Sequence, residues 1–305
     1  MLNFIKYSKY AFVLSILITV AGIAAFIING LVMDIDFEGG NVIEVNIGKS
    51  FDNADIASIV KKTINKEVTV QKLGAATDKK VSIKTPPLTP KQTTQVFNAL
   101  KAKYGLKDVD KLSTSTVDPM IGNEIWQKGL LAMLLASILI LMYIALRFRI
   151  MSGFSTGTSA VIALLHDAFI MFAVYSILRI PVNSVFIAAV LTILGYSIND
   201  TIIVYDRIRE NQKILKKTSN AELVNKSIAQ TLTRSINTVV AVLICVITLY
   251  IYGYMNGIQS IKEFSLPLII GLISGAYSSI FIASPLWVFW KDAKSKAEAK
   301  KKSKS

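Results

Sequence analysis

Apolar positions in this chain fall into long blocks parted by charged or glycine-rich stretches. The first block runs from Tyr10 to Val32 behind Lys6 and Lys9. The others cover about 129–146, closed by Arg147 and Arg149, then about 154–178, a block from Val182 that contains Asn199 and Asp200, about 232–252, and about 264–290. About 20 apolar residues cross a hydrocarbon core ~30 Å thick, so the pattern predicts six transmembrane helices. The first block exceeds the apolar core of a secretory signal peptide and reads as an uncleaved span. In the last block Pro267 and Pro285 stand towards the ends, and Trp287 and Trp290 read as interfacial anchors.

Between the first two blocks the periodicity changes. Residues 42–47 alternate as a strand, and 51–65 have helical spacing with Asp52 as cap. Two strands follow at 67–73 and 79–84, parted by a turn at 74–78. Thr89 caps a helix that has Pro90 in its first turn and ends at Gly105, and 109–117 reads as a last strand. The order βαββαβ is the ferredoxin-like pattern, which serves many functions and assigns none. The expected fold is therefore a membrane α-helical protein of six transmembrane helices, with an inserted α+β ferredoxin-like domain. Its parts are a tail and first span at 1–32, the inserted domain at 33–127, a five-span bundle at 128–290 with a basic linker at about 206–231, and a basic tail at 291–305.

Charge orients this arrangement. Lys6 and Lys9, Arg147 and Arg149, the linker and the lysine tail lie on one side, which the positive-inside rule assigns to the cytoplasm. Both termini are expected there, with 33–127 on the outer side. The net charge of +14 is explained by topology and anionic lipid headgroups, and no nucleic-acid-binding pattern accompanies it. A single cysteine, Cys245, and a single histidine, His166, argue against a disulfide, a Cys/His metal site or a histidine triad. No GxxxxGK[ST] loop is present, so work has to come from an ion gradient or a partner.

The chemistry concentrates at Asp200. A carboxylate in the bilayer costs at least ~2.5 kcal/mol on insertion scales, so such a residue is a functional candidate by default. Asp200 lies about 27 Å along the fourth helix at 1.5 Å per residue, at a depth similar to that of Arg234 on the fifth. An Asp200–Arg234 pair would offset part of each burial cost. Asn199, Ser197 and Thr201 complete a polar cluster that a lone helix has little reason to carry. The ordinary alternative, a charge snorkelling at a helix end, suits Arg234 better than the short Asp200. His166 and Asp167 form a second embedded pair, suited to proton handling or to a packing hydrogen bond; Asp167 reads as a supporting residue. Gly153 with Gly157, and Gly271 with Gly275, fit the small-xxx-small pattern of close helix approach.

Four motifs at consistent spacing carry a resemblance. They are Asp36-Phe-Glu-Gly39-Gly40, Asp118-Pro-Met-Ile-Gly-Asn-Glu124, Gly195-Tyr-Ser-Ile-Asn-Asp-Thr201 leading into Asp206-Arg207-Ile-Arg-Glu-Asn211, and Gln230-Thr-Leu-Thr-Arg234. Together they resemble the SecD/SecF family of membrane subunits accessory to the bacterial Sec export channel, in its smaller SecF-type members. Asp118 stands where the family often has glycine. The resemblance implies the resistance-nodulation-division superfamily, a bacterial cytoplasmic-membrane location and a pseudo-symmetric SecD-like partner as a separate polypeptide. It also implies association with the channel subunits SecY, SecE and SecG and with a translocating polypeptide. Asp200 and Arg234 match the family's proton-linked positions. The implied role is non-enzymatic and cofactor-free: an ion gradient, protons or Na⁺, assists export by moving the outer domain. The alternatives are a small-molecule or lipid exporter of the same superfamily, and a purely structural scaffold.

Overall fold

The first apolar block folds as α1 (Phe4–Asn29), opened by Asn3, whose side chain accepts the amide of Lys6. The computed structural model describes residues 3–73, 79–215, 217–256 and 258–302; the turn expected at 74–78 lies outside them. After a one-turn helix, α2 (Ile35–Glu38), the inserted domain runs β1 (Gly40–Asn46), α3 (Asn53–Ile64), β2 (Thr69–Leu73), β3 (Lys80–Thr85), α4 (Pro90–Tyr104) and β4 (Lys111–Val117). The expected caps form. Asp52 accepts the amide of Ala54, Thr89 and Gln92 make a reciprocal capping box, and Gly105 takes the left-handed conformation that ends α4.

The four strands form one sheet of order β2-β3-β1-β4, antiparallel throughout, with Ile43 facing both Ile83 and Thr114. Period-2 alternation sends Ile43, Val45 and Ile47 to one face, where they pack with Ile56 and Val60 of α3 and with Phe97 and Leu100 of α4. Gln71 of β2 meets Glu263 of the sixth span, and Lys84 of β3 meets Asp34, the N-cap of α2.

The spans are α1, α5 (Pro119–Arg147), α6 (Gly153–Leu178), α7 (Ser184–Ile214), α8 (Asn220–Asn256) and a rod formed by α9 (Gln259–Ser278), a π-helical turn (Ser279–Ala283) and α10 (Ser284–Lys302). Among the described residues, six helices are long and apolar enough to cross a membrane. α6, α7 and the α9 rod are the most enclosed, whereas α1, α5 and α8 expose most of their length. The helices also run beyond their apolar blocks. α5 starts ten residues ahead of its apolar run because Gly122 lets α2 sit directly on it: an added Cβ would stand 2.4 Å from the Phe37 carbonyl oxygen. The basic linker is mostly helical, since Tyr205, Ile208 and Asn211 on α7 and Leu223, Val224 and Ile228 on α8 are buried against each other and the bundle.

Small residues set the closest crossings, as their spacing predicted. Gly153 and Gly157 face Ala145 and Leu141 of α5; Gly271 and Gly275 face Ile193 and Ser197 of α7. Trp287 differs from expectation. It is fully buried and donates its indole N–H to the Met151 carbonyl at 3.2 Å, because the π turn rotates it into the bundle; Trp290 remains exposed.

Candidate functional site

Asp167 is fully buried in the middle of α6. Ser197 of α7 and Ser278 of α9 donate to its Oδ2 at 2.6 and 2.7 Å, and Ser274 of α9 donates to Oδ1 at 2.6 Å. His166 Nδ1 lies 3.3 Å from Oδ1. These contacts fill the roughly four lone-pair sites a carboxylate offers. The arrangement follows from helix periodicity: Ser274 and Ser278, four residues apart, share one face of α9, and Gly271 and Gly275 bring that face against α7. The polar chain continues outward. His166 Nε2 is 3.1 Å from the Ser15 hydroxyl on α1, and Ser15 is 3.0 Å from the Tyr277 hydroxyl. The hydroxyls of Thr201 and Ser279 meet at 2.9 Å.

One turn beyond Ser197 on α7 sits Asp200, only 6% exposed. It faces a cleft between α7, α8 and α9 lined by Tyr196, Asn199, Thr238, Val242, Gly271 and Gly275. Among the described residues it takes part in no ion pair. Arg234 does not reach it. Ser235 turns inward on α8, and Arg234, about 100° round the helix from it, is exposed, as are Asn199 and Gly195. The Asp200–Arg234 contact expected from depth is thus absent from the isolated chain. Depth along two helices says nothing of their rotation.

The remaining motif residues build the two ends of α7. At the domain end, Asp36 accepts from the Ser184 amide and hydroxyl, and Asn183 caps the helix by accepting from Phe186. A parallel bridge joins Met33 to Val182. Glu263, in the first turns of α9, accepts from Asn183 at 2.6 Å and from Gln71 of the sheet at 3.2 Å. Gly39, at φ +75°, ends α2, and Gly40 presses on β3, where a Cβ would stand 2.2 Å from the Thr85 carbonyl oxygen. At the other end, Asp206 pairs with Arg147 at 3.1 Å and Arg209 at 3.0 Å. Arg207 donates to Gln230 of α8 at 2.7 Å and pairs with Glu210. Asn211 donates to Ser227 and Gln230 at 2.9 and 2.8 Å.

Sequence reasoning missed Ser15, Ser184, Glu263, Ser274, Tyr277 and Ser278. The Ser-x-x-x-Ser spacing in the sixth apolar block was the available signal. Among the described residues no group of three His, Cys, Asp or Glu side chains could hold a metal ion.

A family model described as "Protein export membrane protein SecD/SecF, C-terminal" matches residues 96–293. The chain is 41% identical over 297 residues to protein translocase subunit SecF of Alicyclobacillus acidocaldarius, covering 95% of this chain and 92% of that protein. It is 37% identical over 311 residues to protein translocase subunit SecDF of Bacillus subtilis, covering 97% of this chain and 39% of that protein. The crystal structure of SecDF from Thermus thermophilus superposes with a TM-score of 0.79 at 32% identity, over 95% of this chain and 39% of the other. A crystal structure of SecDF in a super-membrane-facing form gives 0.73 at 32% identity, over 98% and 40%. The chain therefore spans about two fifths of the solved chains it matches. With 41% identity along nearly its whole length to one relative and a family model across most of it, the chain belongs to the SecD/SecF family of protein-export membrane proteins.

Proposed function

We infer that this chain is a SecF-type accessory subunit of the Sec protein translocase and that it spends an ion gradient, carried by protons, on assisting export. The observation that carries the coupling is the span of one helix. α7 holds a buried carboxylate at Asp200 that forms no ion pair among the described residues, and the helix's first residue, Ser184, is bonded to Asp36 at the root of the inserted domain. Protonation changes the charge at one end of a rigid element, and the domain that does the work is fastened to the other.

The positive-inside bias supports cytoplasmic termini and an outer domain, 33–127, in the bacterial cytoplasmic membrane. The strand order β2-β3-β1-β4, with α3 and α4 on one face, supports a ferredoxin-like fold for that domain. A SecD-like subunit is the partner of first choice. Arg234 and Asn199 are exposed on transmembrane helices, and polar groups at that depth normally face protein or a water-filled cavity. Arg234 serves as the counter-charge once that partner is in place, with Asp167 and His166 supporting from behind. The wider assembly comprises the SecY, SecE and SecG channel, the translocating polypeptide and surrounding lipid, without nucleic acid.

The test is gradient-driven export of a secretory protein by vesicles containing the assembled complex. Asp200→Asn is expected to abolish the gradient-dependent part. Full retention of that part would remove Asp200 from the mechanism. Recovery of a second six-span subunit on mild-detergent purification checks the partner.

A further inference from the structure

The hydrogen bonds around Asp200 are unevenly shared among its neighbouring helices. Towards α6 and α9, α7 is keyed by Ser197 to Asp167, by Thr201 to Ser279, and by Tyr205, whose hydroxyl donates to the Ala283 carbonyl at 3.2 Å. Asp167 closes the set by holding α9 through Ser274 and Ser278. At Gly271 the two helices are so close that a Cβ would stand 2.5 Å from Ile193 Cγ1.

Towards α8 the picture reverses. At the level of Asp200 the α7–α8 interface is a cleft, with Thr238 and Val242 across from Asn199 and Tyr196. The polar contacts between these helices gather at the terminal end, where Asn211 and Arg207 hold Ser227 and Gln230. A pair of helices knotted at one end and parted by a cleft farther along can swing about the knot.

We propose that Asp167 is a positioning residue that binds α6, α7 and α9 into one body around Asp200, and that α8, swinging about the Asn211–Ser227–Gln230 knot, is the element that moves. This deepens the reading of Asp200 as the coupled carboxylate and rests on it. A buried acceptor held by three serine hydroxyls has a high cost of separation, because each hydroxyl pulled away leaves an unsatisfied buried group. Among the described residues no hydrogen bond joins α7 to α8 across the cleft.

Reversible cross-links in the assembled complex test this in a Cys245→Ala background. Val190→Cys with Leu268→Cys joins α7 to α9 one turn before Ile193 and Gly271, where both side chains are buried in one apolar cluster outside the Asp200 cleft. Tyr196→Cys with Val242→Cys joins α7 to α8 across the cleft. The first cross-link is expected to leave gradient-driven export intact. The second is expected to abolish it, with recovery on reduction. Reversible loss on joining α7 to α9, or full export with α7 joined to α8, overturns the proposal. Absence of gradient dependence before any cross-link removes the reading of Asp200 itself, and this one with it.

Where a reduced pair does not support export, spin-label distances decide. Labels at Leu165, Ile273 and Ile244 report α6, α9 and α8 from exposed positions. Asp200→Asn, which mimics the protonated state, is expected to shift Ile244–Ile273 and leave Leu165–Ile273 unchanged. Adding Asp167→Asn is expected to make the Leu165–Ile273 distance respond as well, a change that a residue needed only for folding would not produce. A shift in Leu165–Ile273 with Asp167 intact overturns the proposal.

Discussion

Asp36 accepts two hydrogen bonds from one residue, the amide of Ser184 at 3.2 Å and its hydroxyl at 2.6 Å. The bonds place a carboxylate on the N-terminus of the helix that carries Asp200, about 24 Å farther along at 1.5 Å per residue. Negative charge there satisfies an otherwise free amide and complements the helix dipole. The chain joins the inserted domain to α1 and α5, and these hydrogen bonds fix its root to α7 as well.

Asp36→Ala is accordingly expected to destabilise the chain by about 1–2 kcal/mol, the range for a lost N-terminal cap with its charge. It should also weaken gradient-driven export beyond the loss of folded protein. Thermal unfolding in detergent measures the first effect, and export normalised to folded protein measures the second. Ser184→Ala keeps the backbone bond and should show a smaller form of both.

A second tie to the domain is sensitive to pH. Lys84 Nζ lies 2.6 Å from Asp34 Oδ2, with side-chain exposures of 15% and 8%. Burial works to lower the lysine pKa, but the bond to Asp34 and the charges of Asp34, Glu263 and Asp36 outweigh it and hold Lys84 above 10.5. With the folded value above the unfolded one, the pair's contribution is complete below about 10.5 and is lost as pH rises through the folded value. Unfolding followed from pH 8 to 11.5 should show this loss on the alkaline side. In Lys84→Met the corresponding limb should vanish and stability at neutral pH should fall by about 3 kcal/mol, since Asp34 is left buried and unpaired.

Two motif glycines should separate folding from assembly. An added Cβ at Gly122 meets the Phe37 backbone at 2.4 Å, whereas Gly195 has nothing within 4 Å. Gly122→Ala is expected to cost about 1–3 kcal/mol by forcing α2 off α5. Gly195→Leu should leave the chain's own unfolding unchanged and reduce recovery of the second six-span subunit, because open space in one chain fits close approach by another. Unchanged recovery with Gly195→Leu would place the partner elsewhere.

Much of this architecture was legible because it is locally encoded. Thr89, Pro90 and Gly105 delimit α4 through cap chemistry that needs no tertiary contact, and the six apolar blocks answer to bilayer thickness alone. Asp200 was legible for the same reason, as a charge in an apolar run has a cost wherever its neighbours lie. What was not legible depends on rotation and on partners distant in sequence. Two of the three serines that ring Asp167 come from a helix about a hundred residues away, and serine in an apolar span is unremarkable until its face is known. The inward turn of Trp287 follows from a single π turn, which adds a residue to the helical phase without altering the apolar pattern. The outward rotation of Arg234 is another result that depth alone did not contain.

Asp167 and Arg234 give the last contrast. Asp167→Asn replaces an acceptor oxygen with a donor amide inside a ring of hydroxyl donors, and the displaced hydroxyl is left unsatisfied at a fully buried site. A loss of about 1–3 kcal/mol in the isolated chain is expected. Arg234→Gln removes a unit charge from an exposed position that forms no salt bridge among the described residues, so the isolated chain should unfold within about 0.5 kcal/mol of the parent. In the assembled complex the order of effects should differ. Arg234→Gln should abolish the gradient-dependent part of export as completely as Asp200→Asn does, because its counter-charge role exists only with the partner present. Unfolding of the purified chain beside export in vesicles measures both; retained gradient-driven export in Arg234→Gln would leave Asp200 to act without it.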